Sequence, residues 1–161
     1  MKIKEQLFSA HRDKADVSSV LEVPQGATEL LVLAHGAGAG MRHRNMQRIA
    51  EAMHREQIAT FRYQFPFGER GGGRDSLEVT LSTVQRAVEL AGLLEPKLPV
   101  LAGGHSFGGR MTSIAASNGQ LNNIKGYVFF AFPLHNSHAP TRCIPDPPLP
   151  PRIPPRADAS T

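Results

Sequence analysis

The sequence predicts an α/β fold, a mostly parallel sheet with helices on both faces, and three observations carry that prediction. Leu30-Leu31-Val32-Leu33-Ala34 is an unbroken apolar run, the pattern of a strand buried on both faces as in parallel sheets. From residue 29 onward, short apolar runs alternate with segments of helical periodicity, which implies right-handed crossovers. Val100-Leu101-Ala102-Gly103-Gly104-His105-Ser106-Phe107-Gly108-Gly109-Arg110 ends an apolar run at a serine among glycines and continues into helix-forming sequence. It reads as strand, sharp turn, helix.

Taken in order, Val17 to Val23 is a first strand closed by the turn Pro24-Gln25-Gly26. Glu29 to Ala34 is the second and runs into His35-Gly36-Ala37-Gly38-Ala39-Gly40. A helix is expected from about Asn45 to Glu56, because Met46, Ile49, Ala50 and Met53 fall on one face. Ile58 to Phe65 is a third strand, stopped by Pro66, which has no ladder donor. Gly68 to Arg74 reads as a mobile loop. Asp75 and Glu78 mark the start of a long helix with Leu77, Leu81, Val84 and Val88 as its buried stripe, ended by Pro96 and Pro99. Met111, Ile114 and Ala115 give the serine helix an apolar face up to Asn118-Gly119, and Ile124 to Phe132 is a last strand.

A length of 161 residues fits one globular domain, here residues 1–139, followed by a Pro/Arg-rich tail over 140–161 that is expected to be disordered. The net charge of +4 is basic, but the arginines are scattered, with two tyrosines and no tryptophan for base stacking, so nucleic acid is not an expected partner. Cys143 is the only cysteine, which fits a reducing compartment. The charged N-terminus lacks the apolar core of a signal peptide, and no apolar run approaches the length of a membrane span. A cytoplasmic location without membrane association is expected.

Gly104-His105-Ser106-Phe107-Gly108 has the G-x-S-x-G form, in which glycines at 104 and 108 leave room for a turn so tight that the serine stands exposed at its tip. Two nucleotide readings of the glycines fail. Arg110 and Met111 occupy the places where a phosphate loop needs Lys and then Ser or Thr. Glycines at 36, 38 and 40 leave Met41 at the third position of the dinucleotide fingerprint. A glycine-rich loop after a buried strand also serves to aim backbone N–H groups at an oxygen that gains negative charge during reaction. His135 and His138 lack a third ligand, so no metal is expected, and no cofactor.

Together, His35-Gly36-Ala37-Gly38, Arg62-Tyr63-Gln64-Phe65-Pro66, Gly104 to Arg110 and Phe132-Pro133-Leu134-His135 resemble an α/β-hydrolase of the dienelactone-hydrolase-like kind. The sequence is most similar to the small branch that includes bacterial predicted alpha/beta hydrolases and animal testis-expressed and KANL-type proteins. The resemblance covers roughly residues 15 to 135. It implies a serine hydrolase or esterase acting on an ester, thioester or amide of a small acyl substrate. Ser106 would be the nucleophile and the N–H groups of Ala37 and Phe107 the oxyanion hole. Met41, Phe65 and Phe67 are then candidate walls of an acyl pocket, or ordinary core residues.

The sequence departs from the family pattern after residue 135, where the strands bringing a carboxylate and then a histidine are expected. The composition shifts abruptly there, which reads as an α/β-hydrolase type lacking its last strands, from a truncated or frame-shifted gene. His135 and His138 are the candidate bases in this chain, while His105 is expected to point away along the turn. A serine hydroxyl without a positioned base is a weak nucleophile, so an inactive chain is one expectation. A non-catalytic interaction protein is the alternative, with Pro147-Pro148-Leu149-Pro150-Pro151-Arg152 as ligand for a polyproline groove. Without further strands, Ile124 to Phe132 is an exposed edge through which self-association is expected.

Overall fold

Every residue of the apolar run after Glu29 is buried as far as Ala34, and the sheet is built around it. The computed structural model describes residues 1–134. Their elements are β1 (Lys2–Phe8), β2 (Val17–Val23), β3 (Glu29–Ala34), α1 (Arg44–Arg55), β4 (Ile58–Tyr63), α2 (Pro66–Arg70), α3 (Leu77–Leu94), β5 (Val100–His105), α4 (Phe107–Ser117) and β6 (Ile124–Phe130). The strand order is β1-β2-β4-β3-β5-β6. β1 pairs antiparallel with β2 and β2 with β4, whereas the β4, β3, β5 and β6 contacts are parallel.

Because side chains alternate along a strand, β3 feeds two cores. Leu31 and Leu33 meet Met46 of α1, with Ile49 and Met53 alongside. Leu30, Val32 and Ala34 meet Leu81, Val84 and Val88 of α3 and Met111 and Ala115 of α4. Helices therefore cover both faces of a mostly parallel sheet, as the sequence predicts. The helix starts are capped locally: the His43 ring accepts from the Asn45 N–H at 3.2 Å, and Ser76 Oγ accepts from the Val79 N–H at 3.3 Å, each satisfying a donor that the helix leaves open.

Five local expectations change. β1 is an additional strand, pairing Lys2 with Val23 through Phe8 with Val17. Its residues are mostly exposed and Phe8 alone is buried, so its sequence carries little hydrophobic signal. The third strand ends at Tyr63, and Pro66 opens the five-residue α2 instead, where a missing N–H costs no helix bond. Asp75 is a buried acceptor rather than a cap: its carboxylate receives the Phe67 N–H and Arg70 Nη1, both at 2.7 Å. Glu69 receives the Ser18 N–H and Oγ, so the segment expected as a mobile loop is tied to β2 and to the start of α3. Leu77, placed in the buried stripe, is 54% exposed because it opens α3 at the surface.

The residues from 135 on, which include His135, His138, Cys143 and the proline-rich motif, lie outside the described residues. Among the described residues, no helix is long and apolar enough to cross a membrane.

β5 and β6 approach so closely at Gly103 that a Cβ there would fall 1.8 Å from the Val128 carbonyl oxygen. Gly103→Ala is therefore expected to lower stability in chemical denaturation by about 3 kcal/mol or more. Gly38→Ala, where a Cβ meets nothing within 4 Å, should change it by no more than about 1 kcal/mol. Equal stabilities would refute the close contact.

Candidate active site

Ser106 occupies the corner between β5 and α4 with φ 51° and ψ −113°, a left-handed conformation that costs a non-glycine residue about 1–3 kcal/mol. Neighbouring backbone holds it there. The Ser106 N–H donates to the Phe130 carbonyl of β6 at 2.8 Å, and its own carbonyl accepts the Arg110 N–H at 3.1 Å. The side chain makes no capping bond to α4, and no hydrogen bond engages its hydroxyl among the described residues. As the first residue of α4, Phe107 has an N–H that no intrahelical carbonyl reaches, at the end of the helix where its dipole is positive.

The flanking glycines are steric necessities. A Cβ on Gly104 would lie 2.6 Å from the Gly108 carbonyl carbon and 2.8 Å from the Ala34 oxygen, and one on Gly108 would lie 2.5 Å from the oxygens of both Ala34 and His35. This convergence brings the end of β3 against the start of α4, so the glycine loop after β3 lies beside the serine. A Cβ built on Gly36 would be 3.9 Å from Ser106 Cβ.

Three side chains shape that loop, the buried His35 and Arg62 and the half-buried Gln64. His35, fully buried, accepts the Phe65 N–H at Nε2 over 3.0 Å. Its proton is therefore on Nδ1, which donates to the Gly36 carbonyl at 2.7 Å. Burial pushes the His35 pKa below the usual imidazole value, partly offset by the bond to Gly36. Gln64 Oε1 receives the Met41 N–H at 2.7 Å while its Nε2 donates to the Gly68 carbonyl at 3.2 Å. Arg62 donates to the Met41 carbonyl at 3.1 Å and to Glu22 at 2.6 Å.

A family model described as an alpha/beta hydrolase domain matches residues 27–145, the greater part of the chain. The chain belongs to the alpha/beta hydrolase domain family. Solved structures agree on the fold. The chain is similar to dienelactone hydrolase from Anabaena variabilis, with 20% identity and a TM-score of 0.64 over 80% of this chain and 63% of that one. It is also similar to an alpha-beta serine hydrolase homologue from Coxiella burnetii, with 15% identity and a TM-score of 0.69 over 83% and 65%. Est1E from Butyrivibrio proteoclasticus gives 21% identity and a TM-score of 0.63 over 76% and 49%. The chain thus spans between 49% and 65% of the length of these relatives. No curated protein matches it.

In this alpha/beta hydrolase, Gly104, Ser106, Phe107 and Gly108, expected from the sequence as site residues, form one turn, and Gly36, the residue before Ala37, lies against it. His105 has its Nδ1 3.3 Å from the Cβ position of Gly36, so its ring sits beside the glycine loop instead of pointing away along the turn. Met41, Phe65 and Phe67 are buried to 4% exposure or less and belong to the core. Phe65 and Phe67 stack at 5.6 Å, with the Phe107 ring edge-on to both, which fixes the side chain next to Ser106. Sequence reasoning assigned no role to His35, Gln64, Arg62 or Arg74, whose guanidinium lies 4.9 Å over the Phe107 ring. A polar residue directly after a fully buried strand is the signal that points to His35. Among the described residues, no three metal-ligating side chains cluster.

The depressed His35 pKa has a thermodynamic consequence. Below about pH 6.5 the unfolded chain takes up a proton that folded His35 resists, so its contribution is present above that pH and is lost as pH falls. His54, also lowered by burial, acts in the same direction. Stability is expected to drop from about pH 7 to pH 5 with a slope of at most about 1.4 kcal/mol per pH unit from His35 and a much smaller part from the largely solvent-screened His54. His35→Gln should flatten that slope in denaturant titrations, and an unchanged slope would contradict the neutral clamp.

Proposed function

We propose that this alpha/beta hydrolase is a serine hydrolase acting on an ester, thioester or amide carbonyl of a small acyl substrate. The observation that carries the reading is the strained Ser106, held off the end of β5 beside the Gly36-Ala37 loop. Its hydroxyl adds to the carbonyl carbon, the carbonyl oxygen takes the negative charge, and the amides of Phe107 and Ala37 receive that oxygen. Donors held in such a place before reaction need no reorganisation when the charge develops, and loss of one typically costs about 100- to 1000-fold in rate.

Attack also requires that the Ser106 proton go to a base. We assign that role to His135 or His138, which follow β6 closely in sequence. Without a carboxylate to orient it, such a base would work poorly, as loss of triad members costs about 10⁴ to 10⁶ in kcat. This chain is accordingly proposed to turn over slowly or not at all while keeping a reactive serine. The single cysteine supports a reducing, cytoplasmic setting for it.

A fluorophosphonate probe followed by peptide mass spectrometry tests the reading. A covalent adduct on Ser106 that disappears in Ser106→Ala is expected, and labelling that is absent or independent of Ser106 would reject it. In the His135→Ala/His138→Ala double variant, the labelling rate should fall by about 100-fold or more. An unchanged rate would remove these histidines from the mechanism without touching Ser106.

A further inference from the structure

The pentapeptide Arg62-Tyr63-Gln64-Phe65-Pro66 carries part of the family resemblance, yet the proposed chemistry assigns it no role. Its alternate side chains divide between the two faces of the sheet. Tyr63 and Phe65 join the α3-side core, while Arg62 and Gln64 turn to the other face and reach the glycine loop that follows β3. Between them they take both backbone groups of Met41: its N–H donates to Gln64 Oε1 at 2.7 Å, and its carbonyl accepts Arg62 Nη1 at 3.1 Å. The Ala39 N–H donates to the Gly36 carbonyl at 3.3 Å, closing a turn with Ala37 and Gly38 at its centre. That turn leaves the Ala37 N–H unused, and no other hydrogen bond engages it among the described residues. His35 holds the turn in front, at the Gly36 carbonyl, and Gln64 holds the loop behind it.

Gln64 reaches a second segment as well. Its Nε2 donates to the Gly68 carbonyl of α2 at 3.2 Å, and its own backbone N–H is fixed on the Ser18 carbonyl of β2 at 2.9 Å. The contacts leave little slack. A Cβ on Gly40 would fall 2.9 Å from both Nε2 and Oε1 of Gln64, and one on Gly68 would lie 3.4 Å from Gln64 Oε1 and 3.1 Å from His35 Nε2. Phe67, next to Gly68, sets its ring 5.8 Å from the Phe107 ring in an edge-on contact. One side-chain amide thus joins the loop bearing Ala37 to the short helix that braces Phe107.

We propose that Gln64 is a positioning residue: by bridging Met41 and Gly68 it fixes the separation of the Ala37 and Phe107 amides, the two donors assigned to the oxyanion. The proposal rests on the serine hydrolase reading given above. It needs an uncharged amide in particular, since Oε1 accepts from one segment while Nε2 donates to the other. A methionine of similar length supplies neither bond and leaves the N–H of the buried Met41 without its acceptor. A glutamate supplies both bonds only when protonated, because its carboxylate has no proton to donate and faces the Gly68 carbonyl.

The test compares the rate at which a small alkyl fluorophosphonate labels Ser106 in the full 161-residue chain, in Gln64→Met and in Gln64→Glu. Gln64→Met is expected to label at least about tenfold more slowly, because a misplacement near 1 Å in a reacting geometry costs up to about 100-fold. For Gln64→Glu, the rate relative to wild type should climb as pH is lowered from about 8 to about 5.5 and the carboxyl regains its proton. Taking the ratio at each pH removes the titration of every group the two proteins share. A merely structural loss of packing would slow the glutamate variant by a factor that does not change with pH. Should Gln64→Met fail to fold, the glutamate profile decides alone. Gln64→Met labelling at the wild-type rate, or a glutamate ratio flat across that range, would overturn the proposal and leave the hydrolase reading standing. A wild type whose Ser106 stays unlabelled would remove both.

Discussion

Three stretches of backbone share one small volume at the end of the central strands, and this crowding governs the candidate site. Gly104 leaves β5 there, Gly108 enters α4, and the carbonyls of Ala34 and His35 end β3, all closer together than any Cβ allows. Close packing of this kind leaves no room to relax. With side chains excluded, the chain between Gly104 and Gly108 has to turn sharply, and Ser106 takes up the strain as a positive φ. The same crowding determines that the glycine loop after β3 runs past the serine rather than away from it.

Strain of this kind persists only where the surroundings over-determine it. Here they do so from two sides. β6 receives the Ser106 N–H, and the stacked Phe65 and Phe67 rings bracket Phe107. On the loop side, one neutral imidazole joins the Gly36 carbonyl to the Phe65 amide. A charged imidazole would set N–H against N–H at Phe65, so the clamp requires the uncharged ring that burial already favours. The electrostatics and the packing therefore point the same way. Gln64 and Arg62, both from the β4 end, hold the far side of the loop at Met41, so the strand beside β3 acts as a second support for it.

What could be read from the sequence was what sterics dictate locally. The spacing of Gly104, Ser106 and Gly108 announces a tight turn because no other residue type fits, and the unalternating β3 announces a central parallel strand. Side chains that act through distant partners were harder to read. Asp75 looks like a helix-start residue, and only the folded chain shows it accepting the Phe67 amide. β1 was missed because an edge strand with charges on three of its seven residues has no hydrophobic pattern to betray it, and α2 because five residues are too few for a period. His35 was visible as part of a motif, but its tautomer depends on the Phe65 amide just after β4, 30 residues away in sequence.

The proposed chemistry requires a serine and two amides arranged around one point in space. A crystal structure of the chain after reaction with a small fluorophosphonate tests this most directly. Phosphorus is expected bonded to Ser106 Oγ, with one phosphoryl oxygen about 2.7–3.1 Å from the amide nitrogens of both Phe107 and Ala37. An adduct whose oxygen turns to solvent, or contacts neither amide, would contradict it.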